Sequence, residues 1–115
     1  SARELTGQIK ELVDKARRGQ CTVAELTRGT FTLNNYGVLG VDGAAAIINA
    51  PEVAIMGVGR IIDRPWVVDG QLAVRKVTEL TLSFDHRVTD GAEASAFLTT
   101  VAEAMHRPSS VLADL

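Results

Sequence analysis

The sequence predicts an α+β domain in which a mixed sheet is flanked by helices. Two stretches, 2–18 and 91–105, carry apolar residues at three- and four-residue spacings, as amphipathic helices do. Between them, short apolar runs are bounded by turn residues, which is typical of strands. No internal repeat, linker or low-complexity segment divides the 115 residues, so a single domain is expected.

The N-terminal part of the chain is predicted to be helical. Ser1 and Glu4 have the spacing of a capping box, and Gly19 supplies a stop. The capping-box spacing recurs at Thr22 and predicts a short helical turn at 23–27. The apolar stripe of the first helix consists of Leu5, Ile9, Leu12, Val13 and Ala16.

Four segments are predicted to form strands. Residues 29–33 form the first, and the Asn-Asn-Tyr-Gly sequence at 34–37 predicts a turn after it. Residues 53–58 are a second apolar run of strand length. The segments 61–68 and 71–84 flank Asp69-Gly70, a two-residue turn signal, and predict a hairpin. Polar and apolar residues alternate at 79–84, which predicts one buried face for the second strand of that hairpin.

The last helix is predicted to begin after Asp90, which can cap it, with Glu93 at its third position. Pro108 ends it. Its predicted buried stripe consists of Ala94, Phe97, Leu98, Val101, Ala102 and Met105.

Composition excludes several classes of function. The net charge is −2 and no basic run occurs, so nucleic acid and anionic membranes are not predicted partners. No apolar stretch approaches the length of a membrane span, and no metal site is predicted. The single cysteine, Cys21, fits a reducing compartment. Hydrophobic residues make up 46% of the chain and aromatic residues only 4%. This high apolar content in a small chain predicts that apolar surface is buried between the subunits of an oligomer.

The strongest functional signal is the heptad Asp85-His86-Arg87-Val88-Thr89-Asp90-Gly91, which places a histidine between a strand and a capped helix. A neutral imidazole, with an ordinary pKa of about 6.5, accepts a proton near pH 7 and can act as a general base. The alternative is a structural histidine flanked by capping acids. Asp90 can cap the helix, support the site, or do both. Asp85 and Arg87 are expected to form a supporting ion pair or to be surface charges, and His106 to be an ordinary residue near a helix C-terminus.

The heptad resembles the active-site motif of the dihydrolipoamide acyltransferases, the core components of 2-oxo acid dehydrogenase complexes. Three further segments are similar to that family, in the same order. They are the K-A-R-R-G end of the first helix (residues 15–19), G-T-F-T-L-N-N-Y-G (29–37) and A-I-I-N-A-P-E-V-A-I (46–55). The resemblance covers essentially the whole chain.

The resemblance implies a chloramphenicol-acetyltransferase-like fold and a trimer as the basic unit of a larger core. It implies transfer of an acyl group between dihydrolipoamide and coenzyme A, in a site between two subunits. His86 would take the thiol proton, and a donor from the neighbouring subunit would stabilise the oxyanion. The lipoyl group would be carried on a domain outside this chain, and the partners would be the other enzymes of the complex, its E1 and E3 components.

The chain departs from the family pattern in two respects. Many members carry a serine as oxyanion donor where this chain has Asn34, whose amide can also donate; the alternative for Asn34 is a turn residue. The family catalytic domain is about twice as long, so residues 1–115 are expected to be its C-terminal half. We therefore expect the isolated chain to be inactive. The full enzyme is expected to be cytoplasmic, and its acyl group to be of the branched-chain or pyruvate type.

Two rival functions remain at this stage. The first is a non-catalytic scaffold subunit of such a complex, although such paralogues typically lose the histidine. The second is a stand-alone small-molecule acetyltransferase of the same fold. That group carries two consecutive histidines, whereas residue 85 here is Asp.

Overall fold

The computed structural model describes residues 1–40, 42 and 45–109, and it confirms an α+β fold with a mixed sheet. The described residues divide into two compact units: one is Thr30–Ala102, and the other is Ser1–Gly29 together with 103–109. The helices are α1 (Ala2–Arg17), α2 (Val23–Thr27) and α3 (Gly91–His106). The strands are β1 (Phe31–Asn35), β2 (Ala54–Val58), β3 (Ile62–Val68), β4 (Gln71–Val77) and β5 (Leu80–Phe84), and a 3-10 helix covers Tyr36–Leu39.

Helix α2 has the predicted bounds, and α1 begins as predicted and ends one residue earlier, at Arg17. Both capping boxes are formed, and Gly19 takes a left-handed φ of 66° just after α1. A salt bridge of 3.1 Å between Lys15 and Glu25 ties the two helices together and lowers the pKa of Glu25. The apolar stripe of α1 is exposed, however, with Leu5 at 57% of its full accessibility. The stripe is therefore free to face another surface.

The three-stranded sheet has the order β1-β2-β5, with β1 parallel and β5 antiparallel to β2. The central strand is apolar and supplies most of the buried side chains of the described residues, Ala54, Ile55 and Met56. The predicted strand at 53–58 is thus confirmed. Consecutive residues of β2 are buried, so both faces of the strand are covered, which explains its continuous apolar run.

The first strand lies two residues later than predicted, and the turn predicted at 34–37 is wrong. Asn34 and Asn35 belong to β1, where they pair with Gly57 and Val58 of β2. The chain turns only afterwards, at the 3-10 helix that the Asn35 side chain caps by accepting from the Gly37 N–H at 2.9 Å. Pairing with β2 overrode the turn preference of the two asparagines.

The predicted second strand of the hairpin, 71–84, is two strands in two sheets. β3 and β4 form a two-stranded hairpin around Asp69 and Gly70, whose φ angles are 52° and 75°, as the turn signal predicted. The chain then leaves the hairpin at Thr78 and Glu79, which hydrogen-bond to Gly59 at 2.8 and 2.9 Å. β5 continues as the partner of β2, and all five of its residues are half-buried, so it has no single buried face.

Helix α3 begins after Asp90, as predicted, and it contacts the sheet through part of its stripe. Ala94 is buried, and the Phe97 ring lies 5.7 Å from the Phe31 ring. Phe97 and Met105 nevertheless keep 45% and 44% of their accessibility. No helix in the described part of the chain has the length and apolarity needed to cross a membrane.

Candidate active site

His86 lies on the corner between β5 and α3, where the sequence placed it. The corner is anchored by the backbone of Asp85, whose N–H donates to the Val53 carbonyl at 2.9 Å. The Asp85 carbonyl accepts from the N–H groups of Val88 and Thr89, at 2.9 and 3.2 Å, and so closes the turn around His86. The result is an exposed side chain on a backbone that is fixed on both sides.

The His86 ring packs against the Phe84 ring. The two ring centroids are 4.8 Å apart and the rings are inclined by 52°. No hydrogen bond from any described residue occupies either ring nitrogen, so both can meet a substrate. Sequence reasoning missed Phe84 as part of the site. The available signal was its spacing, because residues two apart on an extended chain point to the same side.

Asp85 and Arg87 form the expected ion pair, and it spans the histidine between them. The Asp85 carboxylate accepts from the Arg87 backbone N–H at 2.9 Å, from Nε at 3.0 Å and from Nη2 at 2.8 Å. These bonds lower the pKa of Asp85 from 3.8 to about 2, and the same partner raises the pKa of Arg87. Asp85 is therefore ionised throughout the neutral range.

Asp90 is the cap of α3. Its Oδ1 accepts from the Glu93 backbone N–H at 2.8 Å, and its carbonyl accepts from the Ala94 N–H at 3.0 Å. The capping prediction is confirmed. Within the described residues, Asp90 makes no hydrogen bond to His86, so its support of the site stays a prediction.

Asn34 is not beside His86 in the same chain. It is half-buried in β1, in the row of the sheet that contains Gly57 and Thr81. His86 lies at the other end of the sheet, two residues past Phe84, the last residue of β5. The three residue steps from Thr81 to Phe84 alone span about 10 Å at the usual strand rise, and β2 lies between β1 and β5. The structure gives Asn34 and His86 separate locations within one chain.

An open apolar cleft of about 320 Å³ adjoins the corner. Glu93 supplies the one ionisable side chain among the residues that line it. The other lining residues are Phe31, Val53, Ala54, Leu82, Phe84, Val88, Thr89, Ala94 and Phe97. Three or more His, Cys, Asp or Glu side chains do not gather into a metal-binding group anywhere in the described ranges.

A family model for the 2-oxoacid dehydrogenases acyltransferase catalytic domain matches residues 1–113. Among similar curated proteins, the succinyltransferase component of the 2-oxoglutarate dehydrogenase complex of Azotobacter vinelandii is 41% identical, with 100% of this chain and 29% of that protein covered. The lipoamide acyltransferase component of the branched-chain alpha-keto acid dehydrogenase complex of Pseudomonas aeruginosa is 43% identical, with 98% of this chain and 27% of that protein covered. The chain thus spans less than a third of these relatives.

Solved structures share the fold. The dihydrolipoamide acetyltransferase of Azotobacter vinelandii superposes with a TM-score of 0.88 at 34% identity, over 97% of this chain and 46% of that one. That structure belongs to an investigation of a serine, a histidine and an asparagine in its catalytic mechanism. The cubic core of a pyruvate dehydrogenase multienzyme complex gives the same score, identity and coverage.

Proposed function

The chain belongs to the acyltransferase catalytic-domain family of the 2-oxoacid dehydrogenases, and we propose on this basis that it forms part of an enzyme that moves an acyl group between dihydrolipoamide and coenzyme A. The observation that carries the proposal is the exposed imidazole of His86 on a corner fixed by the D-H-R-x-x-D-G heptad. The relatives act on succinyl and branched-chain acyl groups at nearly equal identity, so the proposal is stated for an acyl group in general.

The reaction needs a base that is open to a thiol. His86 accepts the proton of the coenzyme A thiol, and the thiolate attacks the thioester carbonyl of the acylated dihydrolipoamide. When the carbon–sulfur bond to the lipoyl group breaks, the departing thiolate takes the proton back from the imidazolium. Neither the proton nor the acyl group is lost, which suits a reversible transfer.

Asn34 is proposed as the donor to the tetrahedral oxyanion. The serine, histidine and asparagine studied in the Azotobacter vinelandii acetyltransferase have the same separations along the chain as Asn34, His86 and Asp90 have here. Asn34 then stands at the serine position, and its side-chain N–H groups can replace the hydroxyl. Asp90 stands at the asparagine position, and both residue types cap helices well.

The distance between Asn34 and His86 within one chain supports a site that is shared between subunits. A trimer that brings Asn34 of one subunit to His86 of the next would place the base and the oxyanion donor in one site. The exposed apolar side chains of this chain, such as those along α1, supply surface for assembly. A related pyruvate dehydrogenase complex has a cubic core, which supports a many-subunit core here. We propose that trimers are its units and that E1 and E3 enzymes are further partners.

The decisive experiment measures acyl transfer to coenzyme A by the intact protein. His86→Ala should lower turnover by about 100-fold or more, the usual scale for a lost general base. His106→Ala, which removes the other histidine of the chain from the end of α3, is the matched control and should leave the rate unchanged. Normal transfer by folded His86→Ala protein would defeat the proposal.

Mixed assembly tests the shared site. Asn34→Ala alone should lower kcat about 100- to 1000-fold with little change in KM, because an oxyanion donor acts mainly in the transition state. When His86→Ala and Asn34→Ala subunits are assembled together in equal amounts, about one quarter of the inter-subunit sites carry both native residues. Activity should rise to that fraction. If both residues served one site in one chain, mixing would restore nothing.

A further inference from the structure

We infer that the Asp85–Arg87 ion pair is a positioning device that sets both the geometry and the electrical environment of His86. The inference rests on the proposed function for its catalytic consequence but not for its structural basis. Asp85 precedes the histidine and Arg87 follows it, so their carboxylate–guanidinium contact closes a loop around one residue. The Asp85 side chain keeps only 15% of its accessibility, whereas Arg87 keeps 90%.

The first part of the role is geometric. Asp85 binds its surroundings through three groups: its N–H to Val53, its carbonyl to Val88 and Thr89, and its carboxylate to Arg87. The backbone on both sides of His86 is thereby held. The Phe84 ring packs against the imidazole and limits the directions in which it can point.

The second part of the role is electrostatic. Negative charges dominate the elements that meet at this corner, and a carboxylate near an imidazole favours the protonated form, which cannot act as a base. Arg87 offsets the nearest of them, Asp85, through direct contact. The charged side chains on these elements are Asp85 and Arg87 in the turn, Asp90 and Glu93 at the start of α3, and Glu52 just before β2.

The two parts predict opposite effects for the two partners. Arg87→Gln leaves a bare carboxylate beside His86, so the ring should keep its proton to a higher pH. Asp85→Asn leaves a bare guanidinium, so the ring should lose its proton at a lower pH. The double variant Asp85→Asn/Arg87→Gln removes both charges and should return near the native behaviour. In each single variant, the pH profile of His86 should move by about half to one pH unit, the size expected for one charge at a partly exposed site.

The measurement is the pH dependence of carbethoxylation of His86 by diethyl pyrocarbonate, which modifies only the unprotonated ring. The intact protein and the three variants are treated across about pH 5 to 8, which brackets the pKa of a free imidazole, and modification is mapped by mass spectrometry. His106 is an internal reference in every sample, and its profile should not move.

Displacements of opposite sign in the single variants, cancelling in the double variant, support the inference. Superimposed His86 profiles in all four proteins would overturn it and reduce the pair to a structural closure of the turn. Arg87→Lys separates the two parts. The charge remains, so the pH profile of His86 should stay in place. The paired contact that Nε and Nη2 make with Asp85 is lost, so kcat should fall. Because the modification does not depend on acyl transfer, a failure of the proposed enzyme function would show in the activity assay alone.

Discussion

Three glycine-to-alanine substitutions test whether the sheet that carries the site is assembled as described. The same methyl group is added at each position, and only the surroundings differ. At Gly59 the methyl would overlap the Asp42 backbone carbonyl oxygen. At Gly57 it would overlap the Tyr36 ring and lie 2.6 Å from the Thr81 hydroxyl oxygen. At Gly7, within α1, it would meet no atom within 4 Å.

These surroundings predict both the order and the sign of the effects. Gly57→Ala should destabilise its surroundings by about 1–3 kcal/mol, the usual cost of overpacking, because the Tyr36 ring can tilt. Gly59→Ala should cost more than Gly57→Ala, because the obstacle is the Asp42 backbone rather than a side chain, and Gly59 itself cannot shift without breaking its hydrogen bonds to Thr78 and Glu79. Gly7→Ala should stabilise α1 by about 0.5–1 kcal/mol, because alanine is a better helix former than glycine.

Hydrogen exchange of the intact protein, resolved by peptide, is the suitable assay because it reports local opening. A change of 1.4 kcal/mol is a factor of ten, so the Gly57→Ala range corresponds to exchange about 5- to 150-fold faster in peptides covering β2 and β5. Gly59→Ala should exceed that value for the same peptides, and Gly7→Ala should slow exchange in α1 about two- to fivefold. If Gly59→Ala exchanged no faster than Gly57→Ala, the close approach of residue 42 to the end of β2 would be wrong.

Two further predictions concern the corner that carries His86. Asp90→Ala should cost about 1 kcal/mol at the start of α3 and speed exchange of its first turn about fivefold, whereas Asp90→Asn should preserve the cap and serve as the control; equal behaviour of the two variants would contradict the capping role. Because the pKa of Asp85 is lowered from 3.8 to about 2, its ion pair stabilises the turn above pH 3.8 and this contribution is lost as the pH falls towards 2. Carbodiimide labelling near pH 4, which requires a protonated carboxyl, should therefore spare Asp85 in the native protein and reach it in Arg87→Gln; labelling of the native Asp85 would refute the lowered pKa.

The elements with local causes could be predicted from the sequence. Both capping boxes, the Asp69-Gly70 turn and the cap at Asp90 involve residues no more than three apart, so their hydrogen bonds form wherever the chain has that sequence. The corner position of His86 follows from the same local signals, because a strand end and a helix start define it. The family resemblance of the heptad was confirmed by the match of residues 1–113.

The tertiary structure decided the features that depend on distant partners. Asn34 lies in a strand because β2 offers it a partner 23 residues away, at Gly57, and no local pattern records that pairing. The segment 71–84 was predicted as one strand, yet the chain changes sheets at Thr78 and Glu79, where both residues bind Gly59 and β5 goes on to pair with β2. The separation of Asn34 from His86, and with it the expectation of a site shared between subunits, likewise became visible only when the order β1-β2-β5 placed them at different ends of the sheet. Capping and turn energies are encoded within a few residues, whereas strand pairing is a choice among distant segments that only the folded chain resolves.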